Sequence, residues 1–396
     1  MPARTPNPFR LALFWLGVQA VWGALLGISL QARTIELSSG NALIAYGRLA
    51  TAGALVAAVV QVAIGFWSDA RRRRGSRRLE FYAAGALGGA AAIAFFYGAA
   101  TFGQLVAAYV LLQLALNVAI GPYQAIIPDF VERMRTGVAS SWMAALQSAG
   151  NAAGALAASF IGSARALAGT LDAMLLGTLV ITAAHVARLP LREEPAPEPS
   201  TRVTRAFVDL FLSRALIYIG FYTLLGYLLF YVTAVLGPAT LGDARRQTGI
   251  LIVSFTLVGA LGAALAARPS DRLDKRLVAT VGAAAFIGAL ALFILSSAFA
   301  GVVAATLLAG IGWGVFLVAD WALACRLLPR GAMAAAMGIW NLAIVGPQII
   351  APALTTFVLA AVHASAGGRF GPQVAFTLAL GETLLGAAWL WRLPRQ

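Results

Sequence analysis

The sequence predicts an all-α membrane protein with twelve transmembrane helices in two pseudo-symmetric six-helix bundles. With 60% hydrophobic and 11% charged residues, a soluble globule of 396 residues would have too few polar side chains to cover its surface. Apolar runs of about 20 residues, the length that crosses a bilayer, recur along the whole chain. A basic loop also occurs twice, about two hundred residues apart, as an internal repeat of two similar halves would leave it.

Twelve apolar runs are long enough to cross a membrane. They lie at approximately 11–30, 42–66, 81–101, 104–127, 138–162, 171–187, 207–234, 248–267, 277–298, 301–324, 332–360 and 372–391. Placing the N-terminus in the cytoplasm puts most of the 29 lysines and arginines on the cytoplasmic side, as the positive-inside rule requires. We therefore expect a multi-pass protein of the cytoplasmic (inner) membrane with both termini in the cytoplasm.

The first copy of the basic loop, residues 65–78, holds six arginines between two apolar runs, and its fainter copy is Ser270-Asp-Arg-Leu-Asp-Lys-Arg276. The repeat divides the chain into an N-terminal bundle at 1–187 and a C-terminal bundle at 207–396. The connection at 188–206 is rich in proline and charge and has no means of burying a core. It is expected to be a plain spacer, with a regulatory role as the alternative.

The form of this loop is specific as well. Gly65-x-x-Ser68-Asp69-x-Arg71 followed by Gly75-x-Arg-Arg78 resembles the loop between helices 2 and 3 of the major facilitator superfamily. Residues 117–129, 135–151 and 338–348 are similar to helices 4, 5 and 11 of its glycoside and sucrose cation symporter branch. Leu116 stands where plant-type sucrose symporters have an aspartate that is thought to carry the coupling proton, so the resemblance does not extend to that position.

Amides and indoles in the spans are candidates for binding a solute. At 100° per residue, Gln113, Asn117 and Gln124 share a face of the fourth span, and similar pairs occur elsewhere. Amides both donate and accept toward hydroxyls, and flat rings cover the apolar faces of a sugar. The predicted substrate-binding residues are Gln19, Trp22, Gln113, Asn117, Gln147, Asn151, Trp313, Asn341 and Gln348. The alternative is that these amides join neighbouring helices without touching a solute.

Ionisable residues inside spans are costly and often functional. Asp320 lies well inside the tenth span, on one face with Trp313, and is predicted to carry a coupling proton with Arg214 as its partner. The alternative is a fixed ion pair that locks two helices. Two further residues stand out: Glu382, expected to be structural or gating, and Arg48, expected to pair with Glu36 near the outer surface.

The resemblance implies that the basic loop acts as a cytoplasmic gate that stabilises the outward-open state. The residues that would carry this role are Asp69, Arg71, Asp129, Arg135 and, from the second copy of the loop, Asp271. The alternative is that the arginines only orient the protein and contact anionic lipid.

The sequence therefore predicts a secondary active transporter of a sugar, glycoside or similar small polar solute, coupled to protons through Asp320 and working by rocking of its halves. A proton-driven exporter of an amphipathic compound and a non-transporting assembly factor of light-harvesting type stay open as alternatives. One cysteine, Cys325, and two distant histidines give no metal cluster. No cofactor, enzymatic activity or nucleic-acid partner is expected; membrane lipid surrounds the chain, and a monomer is expected.

Overall fold

The computed structural model describes residues 6–131, 136–190, 204–327, 333–366 and 371–394, and these residues form helices and short connections with no strand among them. Eleven helices in the described part are long and apolar enough to cross a membrane. A further long helix, Thr136–Phe160, lies where the fifth span is predicted. The all-helical membrane fold is confirmed.

The long helices are labelled α1 to α12 in chain order. They are α1 Pro8–Leu37, α2 Ala42–Arg73, α3 Leu79–Gly98, α4 Phe102–Tyr123, α5 Thr136–Phe160, α6 Ala164–Val186, α7 Arg205–Leu236, α8 Leu241–Arg272, α9 Lys275–Leu295, α10 Phe299–Leu327, α11 Met333–Ala366 and α12 Gln373–Trp389. A short helix, Ile126–Phe130, lies between α4 and α5, and a 3₁₀ turn, Leu390–Arg392, follows α12.

Helix α5 is the long helix that is not among the eleven apolar ones. It carries Gln147, Asn151 and several serines, which lower its hydropathy. It packs closely on α1, since a Cβ on Gly150 would lie 3.0 Å from the Gln19 Cβ. Small residues allow such backbone approach where lipid is as apolar as leucine. Its polar composition is typical of a helix that is not wholly surrounded by lipid.

The described residues group into two compact units. Unit 1 comprises those of 1–42 and 52–195, and unit 2 comprises those of 43–51 and 196–396. In unit 1, α1 packs against α5 and α6, and α3 packs against α4 and α6. In unit 2, α7 packs against α12 and α11, and α10 packs against α8 and α9.

Helix α1 contains a π-helical turn at Leu25–Ser29. A π-turn displaces backbone carbonyls from their usual donors. The buried Gln31 side chain compensates by donating to the carbonyls of Leu26, at 2.9 Å, and Gly27, at 3.2 Å. This buried glutamine therefore has a structural task within its own helix.

Candidate functional site

The clearest polar feature of unit 1 is a chain of neutral side chains that runs along α4 and reaches α2. Gln61 Nε2 donates to Asn117 Oδ1 at 2.6 Å. Asn117 Nδ2 donates to the Gln113 carbonyl at 2.7 Å, and Gln113 Nε2 donates to the Tyr109 hydroxyl at 2.8 Å. We name these four residues the amide chain. Gln113 and Asn117 are buried, whereas Gln124, which the sequence places on the same helix face, lies one residue beyond the end of α4 and is exposed.

A second amide contact joins α1 and α5. Asn151 Nδ2 donates to Gln19 Oε1 at 3.3 Å. Trp22 and Gln147, on the same two helices, are half-buried. The structure thus brings Gln19 and Asn151 together as it does Gln113 and Asn117, and binding of a solute by these residues stays a prediction.

In unit 2, the two ionisable residues singled out by the sequence contact each other. Arg214 of α7 forms an ion pair with Asp320 of α10 through Nη1 and Oδ2, and both side chains are buried. Arg214 Nη2 also donates to the Tyr218 hydroxyl at 3.2 Å, and its guanidinium lies over the Tyr218 ring at 4.7 Å. The other carboxyl oxygen of Asp320, Oδ1, is buried without a hydrogen-bond partner.

An aromatic cluster adjoins the ion pair. The Trp313 indole stacks on Phe221 with ring centroids 4.1 Å apart and planes 10° apart, and it meets the Tyr218 ring edge-on at 4.9 Å. Trp313 therefore packs against protein side chains in this structure. Gln348 of α11 donates to the Tyr222 hydroxyl of α7 at 2.9 Å, which places this predicted binding residue near the same face of α7.

The basic loop is organised around Arg78. Its Nη1 donates to Ser68 Oγ at 2.6 Å and to Asp69 Oδ1 at 2.7 Å, and its Nε donates to Asp129 Oδ2 at 2.9 Å. Arg72 Nε reaches the other Asp129 oxygen at 3.3 Å. Arg78 has a left-handed backbone, φ 62° and ψ 8°, just before α3. The ion pairs thus connect the end of α2, the start of α3 and the short helix Ile126–Phe130.

Charge balance in this cluster keeps Arg78 cationic. Burial acts to lower the pKa of Arg78, but the Asp129 and Asp69 carboxylates raise it by more, so its pKa stands above the usual value. The guanidinium is well satisfied on this side, because its Nε and Nη1 donors find two carboxylates and a hydroxyl.

Several details differ from the sequence-based expectations. Asp129, expected to belong to a counterpart loop, contacts the same arginine as Asp69, while Arg71 instead lies 3.4 Å from the exposed Glu80. Glu36 pairs with Arg33 at 2.5 Å rather than with Arg48, because Arg33 is one helical turn away on α1. The predicted gate residue Arg135 lies outside the described residues, as do the side chains of Asn341 and Asp271.

The second copy of the loop has different contacts. Lys275 Nζ donates to the Ser270 carbonyl at 2.8 Å. Arg276 pairs with its near neighbour Asp274 at 2.7 Å and donates to the Leu393 carbonyl at 2.5 Å. This copy therefore holds the chain after α12, whereas the first copy joins three helices.

Sequence reasoning missed four residues of these clusters: Gln61, Tyr109, Arg72 and Arg78. Gln61 is a single amide within an apolar run, and Tyr109 lies one helical turn before Gln113, a spacing that places both on one face. The two arginines belong to the motif that was recognised, but spacing alone does not show which of six arginines turns inward.

Comparisons with known proteins agree with this architecture. The family profile of the Major Facilitator Superfamily matches residues 11–352. Among solved structures, the nucleoside transporter NupG is similar with a TM-score of 0.73 and 13% sequence identity. The match covers 97% of this chain and 98% of the NupG chain. A bacterial homolog of the human lysosomal transporter Spinster has a TM-score of 0.71 at 14% identity, covering 97% and 95%. A D-xylose–proton symporter has a TM-score of 0.68 at 16% identity, covering 98% and 97%. No curated protein sequence matches the chain.

Proposed function

Since the chain belongs to the Major Facilitator Superfamily and is a multi-pass membrane transporter rather than an enzyme, we propose that it moves a small polar solute, a sugar or glycoside, by alternating access. The observation that carries this proposal is the amide chain, in which Gln61, Asn117, Gln113 and Tyr109 are linked inside unit 1. At this low identity the D-xylose–proton symporter and the nucleoside transporter support the fold alone.

Neutral amides suit a polyhydroxylated ligand because each amide both donates and accepts a hydrogen bond. Polar groups inside a lipid-spanning helix are costly unless they have partners or face a cavity. In the amide chain each side chain has found a partner on its own or the neighbouring helix, so a solute would exchange one set of hydrogen bonds for another. Such an exchange is close to neutral in energy, which suits a site that must both bind and release.

Proton coupling is the second part of the proposal. Binding of a proton to Asp320 neutralises its carboxylate and removes the charge that holds Arg214. Loss of the proton restores the ion pair. A buried group that alternates between these two forms links protonation to the contact between α7 and α10. The competing role, a fixed pair that locks the two helices, predicts the same geometry but no effect of protonation.

The proposed location is the cytoplasmic (inner) membrane, with both termini and the loop at 65–78 in the cytoplasm. The positive-inside rule supports this orientation, since the loop holds six arginines. In this orientation the Arg78 cluster is the proposed cytoplasmic gate, with Asp69 and Asp129 as the carboxylates that close it. Arg71, Arg135 and Asp271 stay as predicted gate residues without a described contact to that cluster.

A second candidate function is proton-driven export of an amphipathic compound. The aromatic cluster of Trp313, Phe221 and Tyr218 in unit 2 favours it, since aromatic side chains supply large apolar contact area. This candidate keeps the fold and the proton coupling and changes the solute and the direction of transport.

The experiment is a thermal-stability screen of the purified protein against sugars, glycosides, nucleosides and amphipathic drugs. A ligand at about 100 times its Kd stabilises by about 2.7 kcal/mol, which a melting shift detects. Stabilisation by sugars or glycosides supports the proposal, and stabilisation by amphipathic drugs alone selects the exporter instead.

Any hit is then tested for uptake into proteoliposomes with the variant Asp320→Asn. We expect this variant to lose uphill uptake driven by a proton gradient while it retains exchange of solute across the membrane, because an amide cannot take up a proton. Concentrative uptake that survives in Asp320→Asn would refute coupling through this residue without refuting the solute.

A further inference from the structure

Unit 2 contains a second buried acid, Glu382 of α12, which neither the amide chain nor the Arg214–Asp320 pair involves. Its exposed fraction is 5%. Neither of its carboxyl oxygens makes a well-formed hydrogen bond, although the Thr223 hydroxyl of α7 lies beside the carboxyl. Among the described residues no cationic side chain forms an ion pair with it.

The surroundings of Glu382 are tightly packed. Ser213 Oγ of α7 donates to the Gly386 carbonyl of α12 at 2.8 Å. A Cβ on Gly220 would lie 2.8 Å from the Ala379 carbonyl oxygen, so the backbones of α7 and α12 nearly touch on this side too. Glu382 lies along the helix between these two close approaches.

The polar side chain beside the Glu382 carboxyl is Thr223, which also adjoins a second hydroxyl. Thr223 Oγ1 lies 3.3 Å from Thr355 Oγ1 of α11, and both threonines are fully buried. A hydroxyl both donates and accepts. Thr223 can therefore accept a hydrogen bond from the O–H of a protonated carboxyl and, at the same time, donate a hydrogen bond to Thr355.

The charged groups on the helices packed against α12 either have other described contacts or are exposed near a helix end. On α7, Arg214 pairs with Asp320 and Asp209 accepts from the Trp389 indole. On α9, Lys275 donates to the Ser270 carbonyl and Arg276 pairs with Asp274. The remaining titratable groups on α7 and α11 are Arg205, Tyr218, Tyr222, Tyr227, Tyr231 and His363. Arg205 and His363 are exposed near the ends of their helices.

An ionised carboxylate in this position is unfavourable because a buried charge needs a partner or a set of hydrogen bonds. A neutral carboxylic acid needs fewer polar partners: one acceptor for its O–H, while a donor to its carbonyl oxygen is optional. The Asp320 carboxylate differs because Arg214 compensates its charge. Asp320 and Glu382 are thus suited to opposite protonation states.

We propose that Glu382, Thr223 and Thr355 form a proton-binding site that is separate from Asp320. The proton resides on a Glu382 carboxyl oxygen, the resulting O–H donates to Thr223, and Thr223 donates to Thr355. Release of the proton to water leaves a carboxylate between α7 and α12 without a cation, which weakens the packing of these helices. This site does not depend on the identity of the transported solute.

The test is infrared spectroscopy of the purified full-length protein in lipid nanodiscs, with the proton as the ligand. A protonated carboxyl has a C=O stretching band that a carboxylate lacks. At neutral pH we expect such a band in the wild type, its loss in Glu382→Gln and its retention in Asp320→Asn. A spectrum in which Glu382→Gln removes no carboxyl band would overturn the proposal.

Thr223→Val provides a second variant that keeps the acid and nearly the same shape. Removing the hydroxyl deprives the Glu382 O–H of its acceptor, so the carboxyl band should move to higher frequency. An unmoved band contradicts the proposed contact even if Glu382→Gln fails to fold. The matched control is Glu36→Gln, since Glu36 is exposed and paired with Arg33, and it should leave the band unchanged.

The pH dependence of stability gives a third readout. The folded state favours the protonated acid, whereas the unfolded chain releases that proton at lower pH, so stability is lost as pH rises. The melting temperature of the wild type should therefore fall towards alkaline pH more steeply than that of Glu382→Gln. Equal slopes would contradict a proton held at Glu382.

Discussion

The two units place their charges differently. In unit 1 the polar side chains along α4 are neutral, and the ion pairs made by buried arginines lie at one end, around Arg78. In unit 2 an arginine and two acids, Arg214, Asp320 and Glu382, are buried within the spans. Unit 1 thus holds neutral hydrogen-bonding groups, which we propose bind the solute, and unit 2 holds buried acids, which we propose bind protons.

This difference has an energetic consequence. Hydrogen bonds between neutral side chains in membrane proteins contribute about 0.6 kcal/mol on average. Removing one partner of a buried ion pair costs about 3–5 kcal/mol, because the other charge remains buried. Unit 2 should therefore be sensitive to single substitutions in its interior, and unit 1 should be sensitive mainly at its charged end.

The largest effect is expected for Asp320→Ala. It leaves the Arg214 guanidinium buried without the carboxylate that now pairs with it, and we expect a loss of about 3–5 kcal/mol in the free energy of unfolding. Denaturant unfolding of the purified protein measures it. The double variant Arg214→Met, Asp320→Ala should recover most of the loss, because it removes both charges. If the double variant is no more stable than Asp320→Ala, the loss of stability in Asp320→Ala does not come from the unpaired charge of Arg214.

An intermediate effect is expected for Arg78→Ala at the charged end of unit 1. The substitution removes a donor shared by Asp69, Asp129 and Ser68, and hydrogen bonds to charged groups contribute about 1.5–3 kcal/mol. Arg72 still contacts Asp129, so the loss should be about 2 kcal/mol, below that of Asp320→Ala. The same unfolding measurement decides it.

Arg71→Ala is the matched control in the same loop. Arg71 lies 3.4 Å from Glu80, and its side chain is 49% exposed, so its removal should cost under about 0.5 kcal/mol. Equal losses for Arg71→Ala and Arg78→Ala would mean that the loop acts through its total charge. Unequal losses mean that burial of one guanidinium decides its contribution.

The sequence was sufficient for the features that depend on a single helix. Hydropathy located the spans, and helical periodicity placed Gln113 and Asn117 on one face of α4. It also singled out Arg214 and Asp320, since charges inside apolar runs are rare. These inferences need only the composition and the 3.6-residue period of one helix.

The features that sequence reasoning missed depend on how helices pack. Gln61 joins the amide chain because α2 lies against α4 at that height, and periodicity does not determine the register between two helices. Arg78 rather than Arg71 turns inward because its left-handed backbone, φ 62°, redirects the chain before α3. Glu382 was expected to be structural or gating. Only the structure, in which no described cationic side chain pairs with its carboxyl, indicates that this carboxyl is protonated.

Among the substitutions of buried residues, the smallest effect on stability is expected for Asn117→Leu in the amide chain. It removes the acceptor of Gln61 and the donor to the Gln113 carbonyl, and in a membrane such neutral contacts contribute about 0.6 kcal/mol each. We therefore expect a loss of about 1 kcal/mol in the free energy of unfolding. Its effect on solute should be larger, with binding weakened about tenfold or more, which corresponds to about 1.4 kcal/mol.

The matched control for Asn117→Leu is Gln124→Leu, because Gln124 is an amide just beyond the end of the same helix and is exposed. Solute binding, measured by thermal shift, should be unchanged in Gln124→Leu and weakened in Asn117→Leu. If both variants bind equally well, the amide chain joins α2 to α4 and does not recognise the solute. The neutral amides of unit 1 would then have a structural role, and other residues would have to recognise the solute.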